Sequence, residues 1–155
     1  MKIGITGTPG TGKTTVSDAL SKDVIDMKKF AKERGLGEEK DLFEINVGAV
    51  NSELPESYWI EGHLAHLLDL DYCIVLRTKP EVLEKRLENR GYSNQKIDEN
   101  VEAEAMDVIL SESSRHKVYE IDTTGKSVED VVDEIKDAVE NKKERTGVVD
   151  WTEFL

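Results

Sequence analysis

Cysteine is nearly absent from this chain: Cys73 stands alone among 155 residues. A disulfide framework is thereby excluded, and a reducing compartment fits. Cys73 lies in the run Tyr72-Cys73-Ile74-Val75-Leu76, where a lone cysteine reads as core. Long apolar runs are missing as well. No stretch reaches the ~18 consecutive apolar residues of a membrane span. Met1-Lys2-Ile3-Gly4-Ile5 runs straight into structure without a long apolar leader or a small-residue cleavage site. The expectation is a cytoplasmic protein. Positive charge is in deficit: 21 basic residues face 33 acidic ones, a net charge of −12. Such a surface repels nucleic acid and anionic membrane as a whole. It keeps the chain soluble, and it suits a basic protein partner. Apolar residues make up only 37%, yet this is too many for disorder. The length suits one domain with a real core under a charged surface.

The elements that are present alternate. Ile3 to Thr6, Tyr58 to Glu61, Tyr72 to Leu76 and Val118 to Ile121 read as strands. The continuous apolar run from Tyr72 is typical of a parallel sheet covered on both faces. Helical spacing follows the first strand at Val16, Ala19 and Leu20. A helix opened by Thr78, Pro80 and Glu81 buries Val82, Leu83 and Leu87 and ends near Gly91. Another is predicted from about Asp98 to Ser111, and a last one, capped by Ser127, buries Val128, Val131, Val132, Ile135 and Val139. Lys28 to Lys40 reads as a short helix followed by a polar loop, interrupted by Gly35 and Gly37. The predicted fold is α/β with a central parallel sheet, and segments at about 26–55 and 90–98 look inserted. The final stretch, Lys142 to Leu155, is charged and then aromatic.

The chemistry-bearing signal is Gly7-Thr8-Pro9-Gly10-Thr11-Gly12-Lys13-Thr14-Thr15, which matches G-x-x-x-x-G-K-[ST] between a strand and a helix. Its glycines let the backbone curl so that successive N–H groups point at phosphate oxygens. The following helix aims its N-terminus at the same anions. Lys13 is predicted to reach the β- and γ-phosphates of ATP, and the Thr14 hydroxyl to ligate Mg²⁺. The bland alternative is a glycine turn at a helix start.

Glu61-Gly62-His63 follows the second strand, at the carboxyl edge where parallel sheets take ligands. Glu61 could hold Mg²⁺ directly or through water. His63 could orient an attacking water or contact a phosphate. Otherwise they are a surface acid and a helix-start histidine, and His66 reads as structural. Arg86 and Arg90 share a helix face, where a guanidinium can clamp phosphates or stack on a base, or merely balance Glu84 and Glu88. Lys126 lies between a strand end and a helix start, open to base recognition or to a plain loop role.

Together, GTPGTGKTT, the acid-x-His after a buried strand, and RLENRGYSNQKIDENVEAE resemble the adenylate kinase isoenzyme 6 family. The closing Val149-Asp150-Trp151-Thr152-Glu153-Phe154-Leu155 resembles its archaeal branch. The resemblance covers nearly the whole chain. It implies a P-loop NTPase three-layer fold in a single domain, 1–155, with helices on both faces of the sheet. It implies a nucleoside monophosphate (NMP)-binding insertion at about Asp26 to Glu53 and a short lid at about Asn89 to Asp98. Implied ATP contacts are Gly10, Gly12, Lys13, Thr14, Thr15, Arg90 and Lys126. Implied activities are broad NMP kinase and ATPase. The implied setting is maturation of the small ribosomal subunit and its rRNA, through transient binding of a platform ribosomal protein on the pre-ribosomal particle. The sequence departs from ordinary adenylate kinases in two ways. His63 and Leu64 stand where an acceptor-gripping arginine is usual, and the lid offers only Lys96. The acceptor phosphate would rely on Lys29, Lys32 or Arg34. A housekeeping small-molecule kinase and a nucleotide-gated binding module remain as competing readings.

Overall fold

The computed structural model describes residues 1–155. Five strands form one parallel sheet: β1 (Lys2–Thr6), β2 (Val24–Asp26), β5 (Tyr58–Glu61), β6 (Tyr72–Arg77) and β7 (Val118–Asp122). Their spatial order is β2-β5-β1-β6-β7. The predicted α/β class with a central parallel sheet is what forms. The apolar run of β6 is buried from end to end, as a central strand covered on both faces must be. Its side chains alternate between two cores. Tyr72, Ile74 and Leu76 join Val16, Val131 and Ile135 on one face. Cys73 and Val75 join Met27, Val50, Ile60 and Leu68 on the other. Cys73 is therefore core, and burial pushes its thiol up to about 12.

The helices are α1 (Lys13–Ala19), α2 (Met27–Glu33), α3 (Val47–Glu53), α4 (Pro80–Asn89), α5 (Asn94–Ala105), α6 (Val108–Glu112) and α7 (Val128–Glu140). As predicted, Ser127 caps α7, its hydroxyl accepting from the Asp130 N–H at 3.1 Å. Val128, expected on the buried face, is instead exposed, because the face turned to the sheet starts at Val131.

Other expectations change. Thr78 does not cap α4: its hydroxyl meets Thr123 Oγ1 at 2.9 Å, and the capping position falls to Lys79. The helix expected from Asp98 begins at Asn94, because Ser93 accepts from the Lys96 N–H at 3.2 Å. It breaks before Ser111, where Asp107 adopts a left-handed φ of 57° and its carboxylate turns to Arg77. Of the expected lid, Asn89 to Asp98, only the turn Arg90–Ser93 lies outside helices. The polar loop after α2 is a hairpin of β3 (Gly37–Glu39) and β4 (Phe43–Ile45), separate from the main sheet. Residues 27–53 thus form a helix–hairpin–helix excursion between β2 and β5.

Candidate phosphate-binding site

β1 lies between β5 and β6, with Ile5 level with Glu61 and Thr6 level with Val75. The strands are parallel, so the loop after β1 and the end of β5 open on one edge. There Gly7 to Gly12 wraps into α1. Gly10 and Gly12 have φ of 96° and 93°, a region closed to most side chains. A methyl group on Gly10 would lie 2.7 Å from Leu83, whereas Gly12 has nothing within 4 Å of that position. The loop is pressed against α4 at Gly10 and open at Gly12. α1 has no side-chain cap, so the loop supplies free N–H groups at its mouth.

Lys13 is buried, and its ammonium donates to the carbonyls of Gly7 at 3.0 Å and Thr8 at 3.2 Å. Burial, helped by Arg90, lowers its pKa to about 8, while Glu61 and Glu104 oppose the shift. Thr14 donates its hydroxyl to Glu61 Oε1 at 3.3 Å. The Glu61 carboxyl is pushed up mainly by burial and by Asp26, with Lys13 and the Thr14 hydroxyl pulling the other way. A hydroxyl and a carboxylate side by side, beside a phosphate loop, fit the oxygen preference of Mg²⁺. Thr15, also in the first turn of α1, is exposed.

A cleft of about 1180 Å³ opens over this loop. Pro9, Lys13, Thr14, Glu61, His63 and Arg90 line one side, and α2 and the hairpin face them. Six cations line it (Lys13, Lys28, Lys29, Lys32, Arg90 and Lys96) against four carboxylates. In a chain of net charge −12 this reversal of sign favours an anionic ligand. A smaller hollow at the hairpin is lined by Glu38 and Glu44 and by no basic side chain. His63 is reachable from the cleft. Although the residue is exposed at the cleft surface, partial desolvation there, then Lys13, Lys28 and His66, depress its pKa to about 4, so the ring is neutral near pH 7.

Several predicted residues fall elsewhere. Lys126 pairs with Glu134 at 3.4 Å on α7 and does not line the cleft. Arg34 pairs with Glu53 at 3.9 Å and stacks on Phe30 at 4.3 Å, outside the cleft. His66 is structural: fully buried, it meets Thr6 Oγ1 at 2.9 Å and Glu112 at 3.0 Å. Arg86 makes no ion pair with Glu84 or Glu88. It donates to the Gly10 carbonyl at 3.0 Å and braces the loop from α4.

Sequence reasoning missed the support behind the loop. Thr8 donates its hydroxyl to Glu104 at 2.9 Å. The other Glu104 oxygen accepts from the Thr78 N–H at 2.9 Å and from Arg77 at 3.2 Å. A signal existed. Ile97, Val101 and Glu104 share the apolar face of α5, and a carboxylate on such a face needs a buried partner.

The sequence profile of the AAA domain family matches residues 3–107. The protein named "Putative adenylate kinase" from Methanocaldococcus jannaschii is 48% identical, over 99% of this chain and 94% of its own length. The protein of that name from Pyrococcus furiosus is 44% identical, over 98% and 92%. Its namesake from Natronomonas pharaonis is 42% identical over the full length of both. Among solved structures, shikimate kinase from Acinetobacter baumannii superposes with a TM-score of 0.64 at 16% identity, covering 92% of this chain and 94% of that one. Deoxyadenosine kinase from M. mycoides superposes with a TM-score of 0.57 at 15% identity, covering 90% of this chain and all of that one. Both share the P-loop α/β fold.

Proposed function

This chain belongs to the family of the archaeal proteins named "Putative adenylate kinase", and on that premise we propose that it transfers the γ-phosphoryl group of ATP to a nucleoside monophosphate. The observation that carries the reading is the sign reversal in the cleft above Gly7–Thr15. Gly10 and Gly12 shape the loop, and Lys13, Thr14, Thr15 and Arg90 surround the triphosphate. Lys13 gives up the Gly7 carbonyl for the β- and γ-oxygens and keeps one of its three N–H donors on the Thr8 carbonyl. Thr14 and Glu61 hold Mg²⁺, which when bound neutralises charge on the transferring phosphates. Lys28, Lys29 and Lys32 on α2 take the acceptor phosphate, so residues 26–53 act as the NMP-binding segment. The turn after α4, with Arg90 and Lys96, acts as a short lid. Lys126 would have to leave Glu134 to reach a base.

A second activity, ATP hydrolysis, is favoured by one observation. His63, neutral and open to the cleft, stands where an acceptor-gripping arginine would otherwise commit the site to transfer. The acidic surface supports a further proposal: the protein acts in maturation of the small ribosomal subunit, binding a basic protein of its platform transiently.

The test is an acceptor panel with γ-labelled ATP and Mg²⁺, run beside a pull-down of small-subunit ribosomal proteins with and without ATP. Label in several nucleoside diphosphates, some in free phosphate, and ATP-dependent capture of one basic protein are expected. Rapid transfer to a single non-nucleotide metabolite, with no protein captured, overturns this reading.

A further inference from the structure

The C-terminal segment follows α7 and returns to the back of the phosphate loop. Arg145 bridges to Tyr119 of β7, and the Val148 N–H donates to Glu120 Oε1 at 2.9 Å. Trp151 is buried, its ring 5.0 Å from the guanidinium of Arg77. Arg77, at the end of β6, is itself buried. Around it stand Glu104 at 3.2 Å, Asp107 at 2.6 Å and Glu120 at 2.6 Å. The second oxygen of Glu104 accepts from Thr8 at 2.9 Å. The Thr8 carbonyl accepts from Lys13 Nζ at 3.2 Å, and from the Thr11 N–H and hydroxyl.

We propose that the segment Val148 to Leu155 is a strap that positions Lys13, the phosphate-binding cation, through the contacts Trp151–Arg77–Glu104–Thr8. The proposal rests on the reading of the loop as the ATP site. Its physics is the cost of buried charge. Arg77 and its carboxylates are tolerated only in one well-made geometry. Trp151 keeps water from that cluster and adds the attraction of a ring face for a cation. With one Glu104 oxygen fixed by Arg77 and the Thr78 N–H, the other has a single direction. That direction sets the Thr8 side chain, and Thr8 presents the carbonyl on which Lys13 docks. Trp151, Arg77, Glu104 and Thr8 are positioning residues; among the residues of this chain of contacts, Lys13 alone reaches the phosphates.

The test uses the full chain. Trp151→Ala opens the cluster, and Trp151→Phe keeps a ring face. Thr8→Val removes the hydroxyl that Glu104 accepts from, at constant shape and with no charged residue replaced, and Thr8→Ser restores it. Mg-ATP affinity is measured by calorimetry, and amide exchange of Gly7 to Lys13 is measured without nucleotide. Trp151→Ala and Thr8→Val are each expected to weaken ATP binding about tenfold. Both should speed loop exchange, with Phe and Ser restoring each. The double variant should lose no more than the worse single one, because both cut one chain of contacts. Normal ATP affinity and normal loop exchange in folded Thr8→Val or Trp151→Ala overturn the strap, as do additive losses in the double variant. Faster exchange in a protein whose wild type binds no ATP upholds the strap and sinks the ATP reading.

Discussion

The Thr14 hydroxyl rests on Glu61 Oε1 at 3.3 Å, joining the first turn of α1 to the end of β5 across 47 residues of sequence. The pair sets a hydroxyl oxygen and a carboxylate oxygen side by side at the mouth of the loop. Glu61→Gln keeps the shape and removes the charge. It is expected to weaken the Mg²⁺ requirement curve for ADP formation by about 10- to 100-fold in metal concentration. A Mg²⁺ titration identical to wild type would remove Glu61 from the metal site.

The two glycines of the loop should respond differently. Both Gly10→Ala and Gly12→Ala force a side chain into positive φ, at a cost of about 1–3 kcal/mol each. Gly10→Ala also drives a methyl group against Leu83 at 2.7 Å, while Gly12→Ala meets nothing. Overpacking adds about 1–3 kcal/mol, so Gly10→Ala should have the lower urea midpoint. Equal midpoints would show that α4 yields freely to the loop.

His63→Ala should slow ATP hydrolysis by about 100-fold or more and leave ATP affinity nearly unchanged, since the proposed role is to orient water. With its pKa depressed to about 4, His63 should add no inflection to the hydrolysis rate between pH 6 and pH 8. Equal losses in rate and affinity would assign it to phosphate binding.

The cluster behind the loop should be the most fragile part of the fold. Arg77→Leu leaves Glu104 and Glu120 buried without their cation. A loss of about 3–5 kcal/mol is expected from urea denaturation. A loss below 1 kcal/mol would mean that water already reaches these carboxylates.

Stability should also fall on mild acidification. His66 is buried between Thr6 and Glu112, and burial lowers its pKa despite the Glu112 hydrogen bond. The unfolded chain takes up the proton below about pH 6.5 and the folded chain resists it. The contribution of His66 is thus complete above that pH and is lost as pH falls toward the folded value. His66→Asn should reduce the slope of urea midpoint against pH below 6.5, leaving the part that His63 supplies by the same sign. An unchanged slope would rule His66 out as its source.

The parts legible in the sequence were those with a local cause. Gly7 to Thr15 names its own backbone shape, and the apolar run of β6 names a covered central strand. Ser127 names a helix start through its own hydroxyl. The parts not legible were decided by distant partners. Thr78 has the chemistry of a cap, but Thr123 and Glu104 claim its hydroxyl and N–H. The helix from Asn94 breaks at Asp107 because Arg77, 30 residues earlier, draws its carboxylate. Edge strand β2 and the hairpin carry too few apolar residues to show a period. Lys126 and Arg34 were placed by position in the chain, which says nothing of Glu134 or Glu53 waiting beside them.

Calorimetric titration of Mg-ATP into the wild-type chain and into Lys13→Ala tests the central claim most directly. The account predicts one site per chain for wild type. It predicts affinity weakened at least about 100-fold in Lys13→Ala, as expected when a charged partner of a buried phosphate is removed. Equal affinity in the two proteins would contradict the assignment of Gly7 to Thr15 as the triphosphate site.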